Sequence, residues 1–318
     1  MPNKLAVNPM IGLKSIKNLL PVTFTTALGL ILTLFLPRSS LAETVIEKVA
    51  RTGILTVGTR IDLIPYAYVN DRQQLVGYSV DMINLIKEEL ERQLDKEITI
   101  QTVVEEKFED RIPQIVNGAV DIACSTAFTW ERDKSVDFSV SYGISGIRLL
   151  AKGDSEIDDS TESLVGKRIG VAPYTISEST MKFIQPQAAL VPIEDVDGGF
   201  KALQSGEIDA IAGDTIVLAG VVQRDNPDDY KLRPIQPYAR YGIACMMPEN
   251  DSSFRDLVNY SLVKFMQGFV TNEKSSIDIV DRWFGRQAGI VEIPPELIRD
   301  FFQNIILSRE QILLEKSE

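Results

Sequence analysis

Apolar positions along this chain switch repeatedly between two periods. Ile54-Leu55-Thr56-Val57-Gly58 is a short β-branched run that reads as a strand. After a turn at Pro65 and a second short strand, Met82, Ile83, Ile86, Leu90 and Leu94 recur at helical spacing. Residues 98–104 alternate again as a strand. Farther on, residues 254–269, 277–284 and 294–306 carry helical patterns. In the last of these, Leu297, Phe301 and Ile305 share a face with Ile298 and Phe302, which predicts core packing. Strands alternating with helices predict an α/β protein.

One module occurs twice. Residues 112–126 read IPQIVNGAVDIACST and residues 200–215 read FKALQSGEIDAIAGDT. Each copy has a short apolar helix, a glycine at its end (Gly118, Gly206), an acid (Asp121, Asp209) and an apolar strand ending in polar side chains: Ser125 and Thr126, then Asp214 and Thr215. Glycine is expected after a helix because it accepts the left-handed conformation without a Cβ clash. Matching strands open the two halves, at residues 54–60 and 167–174. Such a duplication predicts two similar sheets with functional groups at strand C-termini, where ligands bind in open α/β folds. Strands at 144–151 and 241–247 flank the second half and can both run between halves, as a hinge would. Residues 43–146 and 242–318 are therefore expected to form one lobe and residues 147–241 the other.

Residues 1–42 look like an export signal. Lys4, Lys14 and Lys17 precede an uncharged apolar run at 19–36, and Ser40-Leu41-Ala42 supplies a small-x-small cleavage pattern. A cut after Ala42 is expected; an uncleaved anchor is the alternative, since the run is nearly long enough to span a bilayer. Cleavage would remove four cations and no acid, taking the net charge from −12 to −16. So acidic a body argues against nucleic acid and anionic membrane surfaces as partners. The chain has no histidine. That removes Ser-His-Asp and Cys-His catalysis and the commonest metal ligand. Cys124 and Cys245 are too few for a thiolate zinc site. They can pair in an oxidising compartment or stay as two buried thiols, and spacing leaves both open. No catalytic residue, metal or cofactor is expected.

Arg132 stands just beyond a strand end, in Ser125-Thr126-Ala127-Phe128-Thr129-Trp130-Glu131-Arg132. An arginine near such hydroxyls can hold a carboxylate with two charge-assisted hydrogen bonds, a fork that lysine lacks. A surface pair with Glu131 or Asp133 is the alternative on spacing alone.

Several segments carry a resemblance: Leu75-Val76-Gly77-Tyr78-Ser79-Val80-Asp81, the 125–139 run with Glu131-Arg132, and the Gly118 and Gly206 modules. Through them the chain resembles the periplasmic solute-binding proteins of polar amino acid ABC importers, solute-binding protein family 3. Arg148-Leu149-Leu150-Ala151-Lys152, Thr175-Ile176-Ser177-Glu178, the 200–220 run and Tyr241-Gly242-Ile243-Ala244-Cys245 place it nearest the glutamate/aspartate-binding branch.

The resemblance implies a type II periplasmic-binding-protein fold, two α/β sheets joined by a two-strand hinge, in a monomeric, non-enzymatic periplasmic receptor. Its partners would be a free L-amino acid, glutamate or aspartate before glutamine or a broad range, and the permease subunits of an ABC transporter. Carried over by position, Arg132 would hold the α-carboxylate, with Ser125 and Thr126 adding contacts from the same lobe. Thr175 would meet that carboxylate from the second lobe at a helix N-terminus. Asp214 would accept the α-ammonium, and Arg60 and Arg111 would meet a side-chain carboxylate. Asp62 beside Arg60, and Glu109 and Asp110 beside Arg111, leave each arginine open to being a neutralised surface residue.

There are departures from the family pattern. Tyr174 replaces a usual glycine, Ile176 replaces a second threonine, and Val196 falls where a polar contact is expected. Leu63 lacks the ring that binders of basic amino acids stack on their ligand. The same fold also carries dehydratases of prephenate-like acids. Glu131 and Glu178 are the candidates for the acid or base such chemistry needs.

Overall fold

The computed structural model describes residues 43–224, 227–286 and 290–308; the expected leader and its cut after Ala42 lie outside them. Helix α1 (Val45–Thr52) starts with a capping box: Thr44 accepts from the Glu47 amide, and the Glu47 side chain accepts from the Thr44 amide. Strand β1 (Ile54–Thr59) follows and is buried from Leu55 onward. It pairs in parallel with β5 (Thr99–Val104) and β6 (Ile122–Ala127) on its two edges. A strand covered on both faces needs no alternation, which is why its sequence is a near-continuous apolar run.

Between β1 and β5 lie three short strands, β2 (Asp62–Leu63), β3 (Ala67–Val69) and β4 (Leu75–Val76), and helix α2 (Tyr78–Leu94). The three strands form a small antiparallel sheet of their own. Gly77 enters α2 at φ +147°, and a Cβ there would stand 2.0 Å from the Tyr66 carbonyl oxygen. Only glycine fits so close an approach. Helix α3 (Arg111–Val116) connects β5 to β6, and β7 (Val136–Phe138) follows.

The second half repeats the plan, with β8 (Gly143–Lys152), β9 (Arg168–Val171), α4 (Ile176–Ile184), β10 (Ala189–Pro192), α5 (Val196–Ser205), β11 (Ala210–Asp214) and α6 (Thr215–Arg224). Strands β12 (Tyr230–Arg233) and β13 (Ala239–Pro248) then lead to α7 (Ser252–Val270), α8 (Lys274–Phe284) and α9 (Pro295–Leu307). The large sheet runs β10-β9-β11-β8-β13-β6-β1-β5, with β12 on β8 and β7 on β13.

Both long strands change partner midway. Residues 143–147 of β8 pair with residues 239–243 of β13, while residues 147–151 pair with β11. Strand β13 passes likewise from β8 to β6 at Ile243. The two halves are thus joined through one short antiparallel ladder. Cys124 of β6 and Cys245 of β13 form a disulfide, which answers the pairing question that spacing left open.

The duplicated acids do the same work in both halves. Asp121 accepts the Thr56 amide of β1 at 2.9 Å while its own amide donates to the Thr56 carbonyl. Asp209 accepts the Arg168 amide of β9 at 2.7 Å and returns the bond in the same way. Each also pairs with a cation, Lys48 and Arg168 respectively. Gly118 and Gly206 both sit at φ +76°, the left-handed conformation expected of them.

Helix α9 packs Phe302 into the main core, but its apolar face is narrower than the sequence pattern suggests. Leu297, in its first turn, is 59% exposed. Asp121 is the more buried of the paired acids, so Asp121→Ala should lower stability by about 2–3 kcal/mol, leaving an amide and an ammonium unpartnered. Asp209→Ala should cost less, because its pair is half exposed. Urea unfolding of both variants checks the difference.

Candidate functional site

A cavity of about 120 Å³ opens where the two long strands change partners. It is lined by the C-terminal ends of β6 and β11, by the start of α4 and by Tyr241 of β13. Six of the seven expected site residues reach its wall: Arg111, Ser125, Thr126, Arg132, Thr175 and Asp214. Arg60 does not.

Arg132 follows β6 in a single helical turn whose entry is fixed by its amide donating to Thr129 Oγ1 at 3.1 Å. Its guanidinium donates only to carbonyls: Nη1 to Ala127 at 3.0 Å and Nη2 to Tyr174 at 3.4 Å. Among the described residues it forms an ion pair with neither Glu131 nor Asp133. Burial, with the nearby Arg111 charge adding to it, pulls its pKa down to about 10. A guanidinium this starved of counter-charge gains from any anion that reaches it.

Asp214 ends β11 from the other half. Its Oδ1 caps α6, accepting the amides of Ile216 at 2.9 Å and Val217 at 3.1 Å. Its Oδ2 accepts the Tyr241 hydroxyl at 2.7 Å. Burial still pushes its pKa up, outweighing these hydrogen bonds. Its ionised form is therefore short of positive charge, as Arg132 is short of negative charge.

Ser125 is held at φ +60°, unusual for a residue with a side chain. Its amide donates at 2.8 Å to the Tyr142 hydroxyl, which also shares a 2.6 Å bond with Ser79. Burial pushes the Tyr142 pKa up to about 12, so the hydroxyl stays neutral. Thr126 is buried, its hydroxyl 3.5 Å from the Cys124 carbonyl. Thr175 caps α4, its Oγ1 donating to the Ala172 carbonyl at 2.7 Å and accepting the Glu178 amide at 3.4 Å. Thr215 opens α6 rather than ending the strand, and its hydroxyl donates to the Gly146 carbonyl at 2.8 Å.

The two remaining arginines are buried and already paired. Arg60 forks onto Asp62 with bonds of 2.7 and 2.6 Å, and its Nη1 donates to the Glu105 and Glu106 carbonyls. Its guanidinium lies 4.3 Å from the centre of the Phe108 ring. Expected at the ligand, Arg60 is instead held by Asp62, two residues on, and does not line the cavity. Arg111 does reach the wall, but its Nε donates to Glu105 at 2.6 Å and its Nη2 to the Cys124 carbonyl at 2.8 Å. Its partner is Glu105, not the adjacent Glu109 or Asp110.

Sequence reasoning assigned no role to Tyr241, Tyr142 or Glu105. No spacing rule links a residue on β13 to one on β11; only the pairing of both with β8 brings Tyr241 to Asp214. Tyr174, which replaces the usual glycine, sits at φ +60° with its side chain 68% exposed. Tyr174→Gly should therefore raise stability by roughly 0.5–1 kcal/mol by removing left-handed strain at little packing cost, a gain readable in a thermal melt.

Residues 55–286 match the model of a protein family described as bacterial extracellular solute-binding proteins, family 3. The chain is 29% identical over 282 residues to a glutamate/aspartate import solute-binding protein of Salmonella typhimurium, covering 87% of this chain and 88% of that one. It is 30% identical over 260 residues to an L-glutamate/L-aspartate-binding protein of Pseudomonas aeruginosa, covering 79% and 82%. A crystal structure of the substrate binding protein of an amino acid ABC transporter superposes with a TM-score of 0.63 at 27% identity, over 73% of this chain and 100% of that one. The two similar halves, the two-strand connection and the cavity between strand ends are those of the two-lobed type II periplasmic-binding-protein fold. The chain belongs to the family 3 bacterial extracellular solute-binding proteins.

Proposed function

We propose that this protein captures one free L-amino acid between two lobes, residues 43–146 with 242–318 and residues 147–241, and delivers it to the permease subunits of an ABC importer. Export to the periplasm by the 1–42 leader belongs to the same reading. The observation that carries it is the pairing of opposites in one cavity: Arg132, which forms no ion pair among the described residues, from one half and Asp214 from the other.

The α-carboxylate would take the Arg132 fork in place of the weak bond to the Tyr174 carbonyl, with Ser125 and Thr126 beside it. From the facing half, Thr175 and the start of α4 would offer donors to the same anion. The α-ammonium would donate to Asp214, whose Oδ2 is already oriented by Tyr241. Closing the lobes about β8 and β13 expels water, and both charge pairs strengthen as the local dielectric falls. A side chain of glutamate or aspartate, the amino acids both relatives are named for, would have to end at Arg111, the one lining cation besides Arg132 among the described residues.

A dehydratase on the same scaffold fits the geometry less well. Glu178 is bonded to Lys182 at 2.6 Å, which lowers its pKa, the wrong direction for a general acid. Glu131 is exposed.

Calorimetry against the twenty amino acids should find a ligand, and Arg132→Ala should weaken it by about a hundredfold or more while the melt stays cooperative. Unchanged binding in that variant would overturn the reading. Small-angle scattering should show compaction at saturating ligand. Affinity should also fall on acidification, starting above pH 3.8, because burial lets Asp214 take up a proton before an ordinary aspartate does and so lose its attraction for an ammonium.

A further inference from the structure

Three charged side chains line the cavity: Arg132, Asp214 and Arg111. The first two are complementary to the α-groups of an amino acid. Among the described residues the third is the only charged lining group left to recognise a charged side chain, and it is not electrically free. Its Nε lies 2.6 Å from Oε2 of Glu105, in a pair with side chains 7% and 0% exposed.

Glu105 is built into the scaffold. It follows the end of β5, and its amide donates to the Thr59 carbonyl at 2.8 Å. The carboxylate fits because residue 58 is glycine: a Cβ there would stand 2.6 Å from Oε1. That Oε1 is buried without a hydrogen-bond partner, so Arg111 supplies the carboxylate's main compensation. Arg60, the other expected side-chain contact, is consumed by Asp62 away from the wall. Elsewhere the cavity wall carries Leu63, Phe108 and Val196, none of which is charged.

Resting on the receptor reading above, we propose that Glu105 is the specificity-determining residue of this cavity, and that by balancing Arg111 it selects an L-amino acid with an uncharged side chain, of the glutamine type, over glutamate or aspartate. The two donors on Arg111 Nη1, which neither of its bonds uses, suit a side-chain carbonyl. A ligand carboxylate at the same place would make two carboxylates share one guanidinium. With the two anions ~6 Å apart at an effective dielectric of about 20, the repulsion is worth on the order of a hundredfold in affinity, which offsets most of the attraction to Arg111 and leaves the cost of desolvating a carboxylate uncompensated. An amide carries no such penalty.

Titration calorimetry of the purified protein with glutamine, glutamate, asparagine and aspartate tests this. The uncharged member of each pair should bind at least tenfold more tightly than its acid. In Glu105→Gln the ratio of glutamate to glutamine affinity should rise by about ten- to a hundredfold, whereas a purely structural role would weaken both ligands alike. Glu105→Met gives the same comparison if the glutamine variant does not melt cooperatively. Tighter binding of glutamate than of glutamine by the unmodified protein, or an unchanged ratio in a folded variant, would overturn the proposal. Failure of all twenty amino acids to bind would instead overturn the receptor reading.

Discussion

A half-buried guanidinium that forms no ion pair among the described residues sets the terms for the rest of the molecule. Arg132 spends its donors on two carbonyls and has its pKa pulled down by burial, so the free protein holds a positive charge that no ion pair among the described residues neutralises. Such a group persists only where the surrounding fold fixes it and where something else supplies the anion. Asp214, raised by burial across the same cavity, poses the mirror-image problem. In the proposed receptor a zwitterion solves both at once, and neither half of the molecule can do so alone.

The scaffold holds these groups through constraints that converge on the joining ladder. Strands β8 and β13 each serve both halves, and the Cys124–Cys245 disulfide ties β13 to β6 one residue before Ser125. Tyr142, just ahead of β8, fixes the strained Ser125 amide with its hydroxyl. Tyr241, on β13, orients Asp214 from the opposite side of the cavity. Bending about the ladder would move the two charges relative to each other while their local supports travel with them.

The three arginines near the cavity differ only in what surrounds them. Arg60 and Arg111 are each met by a buried or half-buried carboxylate, Asp62 and Glu105. Arg132 is not. Residue type alone made all three candidates for ligand carboxylates; neutralisation by neighbours separates the one available for an α-carboxylate from the two whose charge is already balanced.

The alternation of strands and helices, the duplicated module and the place of Arg132 at the cavity wall were legible in the sequence, because periodicity, glycine at helix ends and polar residues after apolar strands are local signals. Asp121 and Asp209 even announced the repeat by position, and the structure gives both the same reciprocal bond to a neighbouring strand. What the chain alone left open was every contact between distant segments. Whether the cysteines pair, which acid claims Arg111, that Asp62 holds Arg60, and that Tyr241 reaches Asp214 all depend on which strands lie side by side. Those neighbours are set by the packing of the whole sheet, and a charge or hydroxyl acquires its role only from the groups within a few ångströms of it.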